Sequence, residues 1–291
     1  MVKNITVMIK LPVMTTLGFS PCPNDTFIFY ALANKKIDMG GFDFNLRIED
    51  VETLNRLAMD RTLDATKISC HAFYYLQEDY QFLRAGAALG RGCGPLLLVR
   101  SDGLGVMSSK QSSELRIAIP GELTTAFLLL RLYLASADSS LVTPNSLLSF
   151  IVMPFNEIMQ AVRDGRADAG LIIHESRFTY PEYGLSEIAD LGEWWEKQTG
   201  LPIPLGGIIA KKGLGTKKIL AIEDLIRTSI KYSMSHREEV MPFIKKYSQE
   251  MSESVIIKHI DLYVNNYTLE IGDDGLAALN GLLKQADRIK N

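Results

Sequence analysis

The sequence has too few cysteines, and in the wrong places, to be held together by disulfides or built around a metal. Its three cysteines, Cys22, Cys70 and Cys93, are an odd number with no CxxC or metal-ligand spacing, which fits a reducing compartment better than a disulfide framework. The four histidines, His71, His174, His236 and His259, lie far apart, and HExxH is absent because Ser176 and Arg177 follow Glu175. No metal is expected. A block of Lys and Arg is also missing, and the formal net charge is −3, so there is no electrostatic footprint for nucleic acid or an anionic membrane. A small neutral or anionic ligand is the expected partner.

Long apolar runs are absent too. A stretch such as "FLLLRLYLA" is too short to span a bilayer and carries Arg131. The first nineteen residues resemble a signal sequence only faintly, since Lys10 interrupts the apolar run and no small-residue cleavage site follows. The expectation is a soluble cytoplasmic protein with no membrane partner, with Met1 or Met14 as its start.

What is present is ample core material: 47% of the 291 residues are hydrophobic and 22% charged, enough for one large or two medium domains. Residues 13–19 read as a strand. Asn24 is placed to cap a helix from Asp25 to Asn34, with Pro23 fixing the entry. "FDFNLRIED" is a second strand, Asp50 caps the next helix, and "LDATKIS" is a third strand before an aromatic helix. The same grammar restarts near residue 115, with a helix over "FNEIMQAVRDG" capped by Asn156. This alternation predicts an α/β protein with largely parallel sheets.

"DRTLDATKISC" from Asp60 is echoed by "DGRADAGLIIH" from Asp164, aligning Asp64 with Asp168 and Ala65 with Ala169. One short match is compatible with chance, but the order of elements around it argues for two lobes of like topology. After Tyr180 the pattern breaks into a Trp/Pro/Gly-rich passage ending in the strand "GGIIAKK", and helices over about 221–248, 252–266 and 272–289 finish the chain. With "GPLLLVRSDG" as the other crossover strand, residues 1–99 and 208–291 form a larger discontinuous lobe and 100–207 a smaller one, with a cleft between them.

Ligands in open α/β sheets bind beyond the carboxyl ends of strands, often at helix N-termini. Four loops answer to that rule. "SPCPND" offers Ser20 and Asn24, or is only a rigid helix entry. "TKIS" offers Lys67 and Ser69, Lys67 being otherwise a solvated charge. "PGELTTA" offers Gly121 for close approach with Thr124 and Thr125 as donors to a carboxylate, or as simple helix caps. The end of "AGLIIHES" delivers His174, whose imidazole can take and return a proton near neutrality; a structural histidine is the alternative. Glu175 is expected to point away from it. His71, before an aromatic helix face, reads as a packed histidine. The Tyr263–Tyr267 segment lines either the cleft or a subunit interface, in the second case that of a homodimer, and the glycine-rich "LGRGCGP" reads as a flexible run.

The blocks "GFSPCPNDTFIFYAL", "LDATKIS", "ALGRGCGPLLL", "IHESRFTY", "TGLPIPLGGI" and "HIDLYVNNYTLEIG", in order from about Thr16 to Gly281, resemble the 1,4-dihydroxy-6-naphthoate synthase family of the futalosine route to menaquinone. The resemblance implies a fold like the type-II periplasmic binding proteins. It also implies a lyase that splits a carbon–carbon bond of cyclic dehypoxanthinyl futalosine, a carboxylate-bearing substrate, releasing a sugar-derived fragment. His174 is then the base, the Gly121, Thr124 and Thr125 loop the carboxylate site, and Ser20, Asn24, Lys67 and Ser69 the cleft donors, with no cofactor required. A chorismate dehydratase of the same pathway and a non-catalytic two-lobed binding or sensor protein are the rival readings.

Overall fold

The computed structural model describes residues 13–103, 114–136, 138, 147–248 and 252–289. Apart from Met14, the N-terminal stretch on which the choice of start codon turns lies outside them. The eleven strands are β1 (Val13–Phe19), β2 (Phe42–Ile48), β3 (Ala65–Ser69), β4 (Tyr80–Phe82), β5 (Ala88–Gly90), β6 (Leu96–Arg100), β7 (Leu115–Ile119), β8 (Leu148–Val152), β9 (Ala169–Ile172), β10 (Leu185–Asp190) and β11 (Ile203–Lys211). They form two sheets flanked by helices. One has the order β2-β1-β3-β11-β4 with β5 also on β11, and the other β10-β6-β9-β7-β8.

Each sheet is mixed, where the sequence pattern suggests mostly parallel pairing. Its core is a parallel trio, β2-β1-β3 in one and β8-β7-β9 in the other, to which β11 or β6 is added antiparallel. The reason is directional. Parallel strands finish at the inner ends that face the other sheet, so a chain arriving from that sheet enters where they end and must run backwards. Gly206 of β11 accordingly pairs with Ser69 at the end of β3, and Leu96 of β6 with Ile172 at the end of β9. β6 belongs wholly to the second sheet and β11 to the first, so the chain changes sheets just before each of them.

The echo between the halves is a register identity. Ala65 pairs beside Leu17 and Ala169 beside Ile117, at matching places in the two trios. Beneath both sheets lies one apolar cluster that includes Ile68 and Ile209 from the first and Ile117 and Leu171 from the second.

Local expectations are corrected at several points. The first helix is Pro23–Ala33 with Cys22 at its N-cap and Pro23 in its first turn, so Asn24 lies inside the helix and does not cap it. The missing N–H of Pro23 costs nothing there. Pro154, not Asn156, precedes the helix Phe155–Arg163. The expected helix over 221–248 is two, Thr216–Ser235 and Arg237–Tyr247, broken at His236. The passage after Tyr180 holds β10 and the helix Leu191–Thr199, whose N-cap Asp190 accepts the Gly192 and Glu193 amides. The "LGRGCGP" run is pinned: Arg91 donates to the Gly200 carbonyl, and the Gly92 amide to Glu196. No helix among the described residues is long and apolar enough to cross a membrane.

Candidate active site

β1, β3, β7 and β9 all end at one cavity of about 650 Å³, its open mouth included. Seven residues singled out from the sequence line it: Ser20, Asn24, Lys67, Ser69, Thr124, Thr125 and His174. Gly121 does not. It lies against Glu52 of the helix Val51–Met59, where a Cβ would fall 2.4 Å from the carboxyl carbon. The close approach that Gly121 permits is therefore to a protein side chain at the edge of the cleft.

The polar floor is organised around Asp25, which the sequence reading passed over. Its Oδ2 accepts the Ser20 amide at 3.1 Å and the Ser20 hydroxyl at 2.7 Å, and its Oδ1 accepts the Asn24 amide group at 3.0 Å. Lys67 Nζ lies 3.0 Å from the same Oδ1, with both side chains almost fully buried, and donates to the Gly86 carbonyl at 3.3 Å. A buried carboxylate is tolerable only when paired and hydrogen-bonded to this extent. Ser69 is fixed from the side, its hydroxyl accepting from Asn55 Nδ2 at 3.1 Å while Asn55 Oδ1 accepts the Ser69 amide. The one local signal for Asp25 was an acid in the first helical turn after two prolines, and its partner could not be read from spacing.

The two threonines do structural work with their hydroxyls. Thr124 caps the helix Thr125–Leu134, accepting the Phe127 amide and donating to the Gly121 carbonyl at 2.7 Å. Thr125 Oγ1 donates to Leu205 of β11 at 2.7 Å and accepts the His71 amide at 3.1 Å, tying three elements together. The helix start lines the cavity at Thr124, Thr125 and Ala126, and the first-turn amides of a helix lack intrahelical partners.

His174 follows β9 in a turn, with φ +58, a left-handed conformation that a residue with a Cβ adopts at a cost. Its ring lies edge-on to Phe155 at 5.1 Å, and Nε2 is buried without a protein hydrogen-bond partner. Burial lowers its pKa to about 4, the Asp25 charge opposing that shift and Lys67 adding to it. It is a neutral imidazole at physiological pH, able to accept a proton.

Two more residues complete the wall. Tyr263 lines the cavity, and burial raises its phenol; Cys93 lines it as well, with a thiol pushed up to about 12 by burial, which makes it no nucleophile. Of the remaining segment, Asn265 caps the short helix Asn266–Leu269 and donates to the Leu89 carbonyl, while the Tyr267 hydroxyl meets Asp274. Arg177 braces the wall from behind, donating to the Gly94 carbonyl and to Asp190 at 2.6 Å. Gly94 is needed because its backbone rests on Gly192, where a Cβ would come within 2.3 Å. Among the described residues no group of three His, Cys, Asp or Glu is placed to hold a metal ion.

Comparison with known proteins gives this geometry its context. A family model described as menaquinone biosynthesis matches residues 15–288. The chain is 44% identical over 273 residues to a 1,4-dihydroxy-6-naphthoate synthase of Streptomyces coelicolor, covering 93% of this chain and 92% of the relative. The crystal structure of protein AF1704 from Archaeoglobus fulgidus superposes with a TM-score of 0.82 at 34% identity, over 94% of this chain and 97% of that one. The Candida albicans CA3427 gene product, which has the generic periplasmic binding protein fold, matches with a TM-score of 0.67 at 13% identity, over 96% and 92%. The last likeness concerns the fold alone.

Proposed function

Because this chain belongs to the menaquinone biosynthesis family, we propose that it is a lyase that converts cyclic dehypoxanthinyl futalosine to 1,4-dihydroxy-6-naphthoate with release of a sugar-derived fragment. The observation that carries the reading is a half-buried His174 with an unpaired Nε2 on the same cavity as Lys67 and the Ser69 hydroxyl. Breaking a carbon–carbon bond beside a carbonyl needs a base to take a proton and donors to hold the oxyanion that develops as the bond's electrons move to that carbonyl. His174 takes the proton. Lys67 and Ser69 face the developing charge, and formation of the aromatic ring makes the step downhill.

The substrate carboxylate is assigned to the first turn of the helix Thr125–Leu134, where backbone amides and the helix dipole favour an anion. An anion bound beside His174 also raises its basicity from the low value of the empty cavity. Gly121 serves this site indirectly, by letting the loop settle on Glu52. The cavity lies between two lobes, residues 1–99 with 208–291 and residues 100–207, their borders drawn a few residues earlier to follow β6 and β11. The three unpaired, buried cysteines support a cytoplasmic address.

The test is incubation of the purified chain with cyclic dehypoxanthinyl futalosine, following the dihydroxynaphthoate by absorbance and mass, with His174→Ala alongside. The wild type should form product and a folded His174→Ala should lose about 10²–10⁴-fold in kcat. Binding without turnover would replace the lyase by a sensor, and dehydration of chorismate would move the chain to the other enzyme of the pathway.

A further inference from the structure

His259 does not touch the cavity, yet it is completely buried on the helix Glu253–Tyr263 directly behind it. Its Nε2 lies 3.0 Å from Asn24 Oδ1. The Asn24 amide nitrogen is already donating to Asp25, so Nε2 carries the hydrogen and Nδ1 holds the lone pair. Nδ1 faces Glu175 Oε2 at 3.7 Å. Glu175, expected to point away from the site, does not line the cavity and is buried in this second layer, and it is the residue after His174.

We propose that His259 is a positioning residue for the reaction, holding the Asn24 amide through its Nε2–H. This rests on the lyase reading above and adds to it a residue that never meets substrate. The geometry around Asn24 supports it. Its amide is set from two sides, by the Nε2–H on its oxygen and by Asp25 on its nitrogen. With the imidazole donor gone, only Asp25 opposes a flip that would turn the NH₂ away and so disturb the Lys67 pair, whose two charges both act on His174. The two imidazoles themselves are 6.2 Å apart, centre to centre, and tilted by 30°. A phenylalanine at 259 would fill the space without the desolvation cost of a buried imidazole, but would supply no donor to Asn24.

The experiment compares His259→Phe, which keeps the volume, with His259→Gln, whose amide reaches where Nε2 was, and His259→Asn, which reaches where Nδ1 was. Each is measured for kcat and KM on cyclic dehypoxanthinyl futalosine, for melting temperature, and for the ¹⁵N shifts of the His174 ring in the absence of substrate. A loss of about 10–100-fold in kcat for His259→Phe, with KM moved less than about threefold, is the signature of displaced catalytic groups. Partial recovery in Gln but not in Asn, and an altered His174 spectrum, are expected with it. A His259→Phe enzyme with unchanged kcat and unchanged His174 shifts, whatever its melting temperature, would overturn the proposal. If the Phe variant does not fold, wild-type kcat and wild-type His174 shifts in His259→Asn, whose amide does not reach Asn24, overturn it equally. Should the wild type turn over no substrate, the lyase reading falls, while the His174 shifts still decide whether His259 positions that ring.

Discussion

Asp64 and Asp168 occupy the same station in the two sheets: Asp64 Oδ2 accepts the Thr16 amide at 2.9 Å and Asp168 Oδ2 the Arg116 amide at 3.0 Å, each one residue before its strand begins to pair with the neighbour. Each carboxylate stitches the entry of its strand to the adjacent strand. Asp64→Asn and Asp168→Asn should each cost about 1.5–3 kcal/mol, the worth of hydrogen bonds to a charged group, read from urea unfolding at pH 7. Burial works against the Asp64 carboxylate, but Thr16 and Lys211 outweigh it and hold its pKa below the ordinary value. Its contribution is therefore present above the usual carboxylate range and lost as pH falls through its lowered pKa.

The Asp25–Lys67 pair predicts an asymmetry. Lys67→Met leaves the Asp25 carboxylate with three donors from Ser20 and Asn24, whereas Asp25→Asn leaves a buried ammonium with only the Gly86 carbonyl. Removing one member of a buried pair costs about 3–5 kcal/mol, and Asp25→Asn should sit at the upper end with Lys67→Met below it. Adding Lys67→Met to Asp25→Asn should restore stability in chemical denaturation without restoring turnover. Equal losses in the two single variants would refute the assignment of donors.

His71 should make stability depend on pH. It is buried, its Nδ1 has no hydrogen-bond partner, and burial lowers its pKa to about 4, with backbone hydrogen bonding at Thr124 partly opposing the shift. Between its ordinary value near 6.5 and about 4 the unfolded chain takes a proton that the folded chain refuses. Stability must then fall as pH is lowered across that window, by up to about 1.4 kcal/mol per unit for this group. His71→Gln should flatten, without abolishing, the slope of unfolding free energy over that range, because His174 and His259 are also held below their ordinary values by burial. An unchanged slope would mean that His71 is already charged in the fold.

Gly121→Ala should strike twice. Its φ of +154 is glycine territory, and the new Cβ would collide with Glu52. Overpacking of this kind costs about 1–3 kcal/mol, and the loop it displaces carries the N-cap of the proposed carboxylate site, so KM should rise more than kcat falls. Adding Glu52→Ala should relieve the collision but not the backbone strain. A double variant no better than Gly121→Ala alone would leave strain as the whole effect.

How far the site was legible follows from how each residue is held. Ser20, Lys67, Ser69 and His174 stand at or just beyond the ends of parallel strands, and such ends can be read from alternation of apolar runs and helix starts. Asp25 and His259 are different, because their meaning lies in partners 42 and 235 positions away, Lys67 and Asn24, and no local pattern carries that information. The mixed sheets were missed for a related reason. The direction of β11 depends on the sheet from which the chain arrives, a property of the path and not of the strand's own residues. Thr124 and Thr125 show the opposite case, where the plainer alternative of capping and bracing accounts for their hydroxyls.

The single apolar cluster beneath both sheets limits how the protein can open and how it can come apart. Ile68, Ile117 and Ile209 share it, and exposing one such side chain costs about 1.5–3 kcal/mol. Wide separation of the two sheets at this base is therefore costly. By the same arithmetic neither half should be an independent cooperative unit: cut at the borders of the sheets, each would carry an uncovered oily face, so the intact chain is expected to melt as one.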